Sequence, residues 1–182
     1  MIEKREDAAR EAAKRTAQAM VAAALTAPKA HGGDRVVAAI IDGEEKDLLA
    51  GHMRDIYRET GMDFFDRDAT NVDNSHCVVL IGALNDHIQL GGCGFCGFKD
   101  CADCIVAGGN CAFNVADMGI AVGSAVSIAA DNRIDNRVMF SAGKAALRMG
   151  IFDNVRVCVG IPLSTTSKSI FYDRNPGAVL VK

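Results

Sequence analysis

Apolar and polar positions along this chain follow two periods in succession. From Glu3 to about Thr26, charges at Arg5, Glu11, Lys14 and Arg15 are set among alanines and then give way to Met20, Val21 and Leu25. That spacing and alanine content predict one long helix. It should stop in TAPKAHGGD, where Pro28 and the pair Gly32 and Gly33 break any helix and leave Lys29 and His31 on a loop. RVVAAIIDG, Arg35 to Gly43, is a β-branched apolar run and predicts a strand. In the next stretch Leu48, Leu49, Met53, Ile56 and Tyr57 fall on one helical face.

MDFFDRDATNVDNS is acidic and Asn-rich with no clear period, and HCVVLIGAL after it is a short apolar strand. Strands that are continuously apolar, rather than alternating, imply a sheet covered on both faces. AFNVADMGIAVGSAVSIAADN is apolar almost all round, with Gly119, Gly123, Ser124 and Ala129 at close intervals. A helix of that kind is buried in the core or in a subunit interface. RVMFSAGKAALRMGIFD reads as an amphipathic helix, NVRVCVGIPL as a strand, and the tail as a polar loop with a last short strand at Ala178 to Val181. Helices and strands mix along the chain, so the class is α/β or α+β with a sheet between helical layers.

Composition narrows this. At 182 residues, 49% hydrophobic and 24% charged, residues 1–182 should form a single domain. A net charge of −3 supplies no basic field for nucleic acid or anionic lipid. The charged start lacks a signal-peptide core and no run approaches 18 apolar residues, so the expected location is cytoplasmic, with neither a membrane nor a nucleic-acid partner. Thiols stay reduced there, so clustered cysteines read as a metal site before a disulfide framework.

Five of the seven cysteines fall between Leu90 and Cys111, spaced C-x2-C-x4-C-x2-C-x6-C as Cys93, Cys96, Cys101, Cys104 and Cys111. A cubane iron-sulfur cluster needs four thiolates folded around one body. Gly91, Gly92, Gly94 and Gly97 supply the looseness. Zinc also takes four cysteines, but as two separated pairs on ribbons. Five thiols exceed four positions. Were a helix to start at Cys101, Cys104 would lie one turn on, placed either to ligate or to stand behind the cluster. Cys77 and Cys158, within apolar strands, read as inert buried thiols. His52, His76 and His87 are isolated, and no Ser-His-Asp set, HExxH or Walker loop occurs.

LGGCGFCGFKDC, CAFNVADMGIAVGSAVSIAADNRIDNRVMFSAGKAAL and VGIPLSTTSKSIFYDR together resemble a family of uncharacterised bacterial and archaeal proteins described as containing a ferredoxin domain. The resemblance implies a 4Fe-4S cluster on the cysteine-rich segment, about residues 90–112. With it, Cys93, Cys96, Cys101 and Cys111 are assigned as ligands and Cys104 as the spare.

A second, weaker resemblance is to FMN-dependent nitroreductases. MVAAALTAPKAHGGDRVVAAIIDGEEKDLLAGHM is similar to their run of helix, Ala-Pro loop, strand and helix, and DMGIAVGSAVSIAA to their central dimer helix. It implies a nitroreductase-like α+β sandwich, with helices on both faces of a central sheet, the cysteine loop inserted, and a homodimer. The first helix lacks their arginine motif, and Lys29, Ala30, His31 and Gly32 follow Pro28 in place of their Ser and Asn. A flavin would have to use other residues. Ser164, Thr165 and Lys168, after the last long strand, suit an anionic group such as a phosphate, and Lys29 is a further candidate.

The expected function is a 4Fe-4S redox protein passing electrons to a partner protein or small acceptor. The alternatives are an iron-sulfur sensor or assembly module, and an FMN-dependent oxidoreductase.

Overall fold

A computed structural model describes residues 2–172; the strand expected at Ala178 to Val181 lies outside them. The elements run α1 (Arg5–Thr26), a 3-10 turn (Ala30–Gly32), β1 (Val36–Ile41), α2 (Gly43–Thr60), α3 (Asp63–Asp73), β2 (Cys77–Leu84), α4 (Cys101–Val106), α5 (Ala112–Asp131), β3 (Asp135–Asn136), α6 (Phe140–Met149) and β4 (Val155–Ser164). The four strands form one sheet in the order β1-β2-β4-β3, and each neighbouring pair is antiparallel.

The central strand β2 explains the layering. Side chains alternate across a strand, and here both faces are apolar. Cys77, Val79, Ile81 and Ala83 enter a core with Ala13, Ala17, Met20 and Ala24 of α1 and Met118, Ala121, Ala125 and Ala129 of α5. Val78 and Leu80 enter the opposite core, with Leu49 and Met53 of α2, Phe65 and Ala69 of α3 and Ala142 and Ala146 of α6. The expected α+β sandwich, with helices on both faces of the sheet, is therefore what the chain builds.

One expectation changes. The aperiodic stretch after Gly61 is helix α3, whose inner face is Phe65, Asp68, Ala69, Asn71 and Val72. Its period was masked because two buried positions are polar; Asp68 accepts from Ser141 Oγ of α6 at 2.6 Å and pairs with its neighbour Arg67. Helix α5 is buried on one side only. Gly119, Ile120, Gly123 and Ser127 form an exposed stripe along it. By length and composition α5 is the one described helix that could span a membrane. Its inner face packs on α1 and the sheet, and Ser124 Oγ donates to Ala23 O of α1 at 3.0 Å.

Candidate functional site

The cysteine segment leaves from the C-terminal end of β2 and returns at α5. Its base is tied down. Leu84 N donates to Arg35 O at 2.9 Å, Asn85 N to Asn154 O at 2.8 Å, and Asn114 Nδ2 of α5 to Leu84 O at 3.1 Å and to Asp86 O. On the far side Arg156 Nη1 donates to Gly108 O at 2.7 Å. The loop between these anchors has the conformation its glycines permit. Gly94 and Gly97 take φ of 58° and 85°, and Gly97 N closes a turn onto Gly94 O at 2.9 Å.

Cys93, Cys96, Cys101 and Cys111 line one pocket, together with His87, Leu90, Phe95 and Phe113. Phe95 packs on Phe113 with ring centroids 4.9 Å apart. Cys93 Sγ accepts from Phe95 N at 3.4 Å, the amide-to-sulfur bond that stabilises a thiolate ligand. Asp100 caps α4 by accepting from Asp103 N at 2.9 Å, which turns Cys101 and Cys104 inward on successive turns. Cys111 occupies the N-cap of α5, whose positive end favours negative charge.

Cys104 is placed differently. It is fully buried, with Sγ 3.2 Å from His87 Nε2 and 3.7 Å from Asn110 O. Burial raises its thiol pKa, and contact with Cys96 and the charges of Cys96, Cys101 and Cys111 push the same way. A Cβ on Gly109 would sit 2.8 Å from that sulfur and 2.9 Å from the Phe98 ring, so only glycine closes the loop here. Among the described residues no three Cys, His, Asp or Glu side chains converge as a site for a single ion. The donor set itself, four thiols around a glycine-rich loop with the Phe95 amide directed at Cys93 Sγ, fits an iron-sulfur cluster.

Burial raises the other two thiols as well, Cys77 to about 11 and Cys158 to about 12. One points into each core and both stay protonated at neutral pH.

The residues expected to hold an anionic cofactor do not form one site within a chain. Lys29 is at the cysteine end of the sheet, before β1, and its ammonium donates to the carbonyls of Ala24, Leu25 and Ala27 at 3.2, 2.6 and 3.0 Å. It caps the C-terminus of α1, and this occupies all three of its hydrogens. Ser164 and Thr165 are at the other end of β2 and β4, roughly 24 Å away for an eight-residue strand. Ser164 is buried and bonds Thr166 Oγ1 at 3.1 Å; Thr165 Oγ1 lies 2.7 Å from His76 Nε2; Lys168 O accepts from Thr166 Oγ1 at 2.7 Å. Through His76 this loop borders a cleft of about 370 Å³ whose walls hold Arg10, Lys14 and Lys46 together with Asp42, Asp47 and Asp73.

Sequence reading passed over His87, Asn114 and Arg156. His87 had one available signal, its position six residues before Cys93. The other two are recruited by strand pairing and helix packing that no local pattern encodes.

Residues 107–174 match a family described as uncharacterized proteins containing a ferredoxin domain. A protein of Archaeoglobus fulgidus, described as an uncharacterized protein, is 38% identical over 184 residues, covering 97% of this chain and 99% of its own. The chain belongs to this ferredoxin-domain family. Its fold is that of nitroreductases. The FMN-dependent nitroreductase NfnB of Mycobacterium smegmatis, solved with NADPH, superposes with a TM-score of 0.59 at 13% identity, over 85% of this chain and 78% of that one. A nitroreductase family protein from Clostridium novyi gives 0.54 at 16%, over 95% and 79%. A nitroreductase with bound FMN from Desulfitobacterium hafniense gives 0.50 at 12%, over 92% and 81%. At these identities the structural likeness concerns the fold alone; the family's description supports a redox protein.

Proposed function

We propose that this protein carries one 4Fe-4S cluster on Cys93, Cys96, Cys101 and Cys111 and transfers single electrons in the cytoplasm, to a partner protein or a small-molecule acceptor. The observation that carries the reading is the sorting of five thiols: four line one pocket and the fifth is buried behind it. When bound, the cluster supplies a one-electron couple whose potential responds to charge, burial and hydrogen bonds at sulfur. The chain's own part is to hold the thiolates, direct Phe95 N at Cys93, place the α5 N-terminus at Cys111 and screen the site with Phe95 and Phe113. Anaerobic purification should give a brown protein with about four irons and four sulfides per chain, reversibly reducible without change of fold. A colourless protein with stoichiometric zinc would overturn the proposal.

The second reading is a bound FMN, for whose phosphate the cleft that adjoins Thr165 offers Arg10, since Lys14 and Lys46 are paired with Asp42 and Asp47. It uses the loop of Ser164, Thr165 and Lys168 at the end of the sheet away from the thiols, and leaves Lys29 with α1. Incubation with excess FMN followed by desalting tests it: retained yellow flavin, released on denaturation, supports it, and none retained removes it.

A homodimer completes the proposal. The outer stripe of α5 (Gly119, Ile120, Gly123, Ser127) carries no charge and lets a second helix approach closely, and Ile120 is 48% exposed in the single chain. Light scattering should give twice the chain mass, and Ile120→Lys should reduce it to one.

A further inference from the structure

Helix α5 contains two glycines that nothing within the chain calls for. Gly119 and Gly123 lie in the helix interior, neither takes a positive φ, and a Cβ on either would meet nothing within 4 Å. Glycine is the weakest helix former after proline, so two of them on one outward face call for a neighbour that the single chain lacks. The backbone of a second helix, packed at the short distance that missing side chains allow, is such a neighbour.

The same face carries bulk at its other end. Phe113, Ala116, Ile120, Gly123 and Ser127 recur at three- and four-residue spacing and form one row along α5. Phe113 begins the row, its ring centroid 4.9 Å from that of Phe95, and both rings wall the cysteine pocket. Phe95 is 61% exposed, so that wall is open on its outer side in the single chain. Ile120 is the midpoint, as far in sequence from Phe113 as from Ser127. Two copies crossing antiparallel at Ile120 match bulk to bare backbone, Phe113 over Ser127 and Ala116 over Gly123. A parallel crossing would set Phe113 on Phe113 and hold the glycine ends apart. No charged residue stands in the row to oppose pairing of the face with itself.

We propose that a second copy of this chain packs antiparallel on α5 and closes the outer wall of the cysteine pocket, so that the end of α5 at Gly123 and Ser127 covers the partner's Phe95 and Phe113. The inference deepens the homodimer reading above and rests on it; it does not depend on what the thiols hold. Each pocket is then completed by the other chain.

The test uses the full chain, purified without oxygen, with the photo-crosslinker p-benzoylphenylalanine in place of Ser127. That position is exposed, and fourteen residues of helix separate it from its own Phe113 by about 21 Å, so a crosslink to residues 95–116 joins two chains. Irradiation followed by peptide mass spectrometry should map the crosslink to those residues. Gly123→Leu, an exposed change with circular dichroism as its folding control, should raise the dimer dissociation constant at least about tenfold in sedimentation equilibrium. Crosslinks running only to residues 120–131 of the second copy, none between chains, or a Gly123→Leu dimer as tight as wild type would each overturn this inference and leave the homodimer standing. A single chain mass for wild type in light scattering, or flotation of that single chain with phosphatidylcholine vesicles, would overturn both.

Discussion

His87 Nε2 lies 3.2 Å from Cys104 Sγ, and both side chains are buried at the back of the pocket that the other four clustered thiols line. The contact ties the β2 exit to α4. It gives Cys104 a structural partner, as its proposed role as the spare thiol requires.

Replacing Cys104 by Ala should therefore leave iron and sulfide per chain unchanged while lowering the thermal midpoint, since a buried contact is lost. Replacing Cys93, Cys96, Cys101 or Cys111 by Ser should abolish or deplete the cluster. Loss of iron in Cys104→Ala together with full iron in Cys93→Ser would reassign the fourth ligand.

Lys29→Met should cost stability and leave cofactor content alone. Its ammonium holds three carbonyls at the end of α1, and its side chain is 5% exposed. Charge-assisted bonds of this kind contribute about 1–3 kcal/mol together after their solvation cost. Urea unfolding measures the loss; unchanged stability with lost cofactor would return Lys29 to the binding residues.

His76 should make stability depend on pH. Burial, and then the charge of Arg10, lower its pKa from the ordinary 6.5. The unfolded chain therefore binds this proton at higher pH than the folded one, so the His76 contribution is complete above about 6.5 and declines as pH falls from there toward the native value. Wild type should lose more stability than His76→Gln between about pH 7.5 and about pH 5.5; parallel curves would refute this.

Gly143→Ala should be among the most damaging changes in the chain. Helix α6 crosses β4 so closely that a Cβ there would lie 1.9 Å from Cys158 O and 2.6 Å from Val159 Cα. Backbone cannot yield as a side-chain tip does, so the expected cost is about 3 kcal/mol or more, read as poor soluble yield or a large fall in thermal midpoint. Gly51→Ala on α2, where nothing lies within 4 Å, is the matched control and should be neutral or slightly stabilising.

Most of the scaffold was legible because its buried faces are made of one kind of residue. Ala13, Ala17, Met20 and Ala24 repeat at helical spacing, and β2 is apolar at every inner position on both sides. Helix α3 was not legible, because Asp68 and Asn71 stand where the period calls for apolar residues, and Asp68 is tolerated only through Ser141 and Arg67. The two-residue β3 was equally hidden, being defined by its pairing with Leu163 and Ser164.

The same division runs through the site. Cysteine spacing and interleaved glycines are local, so the sequence by itself determined that a dense thiol loop lies between a buried strand and an apolar helix. That Cys104 is buried against His87 while Cys93, Cys96, Cys101 and Cys111 line the pocket was decided by tertiary structure. Asn114 of α5 and Arg156 of β4 reach the two ends of the cysteine segment only because α5 packs across the strand exit and β2 pairs with β4. Strand pairing also separated Lys29 from Ser164 and Thr165, which look equivalent as polar loop residues but are held at opposite ends of one sheet.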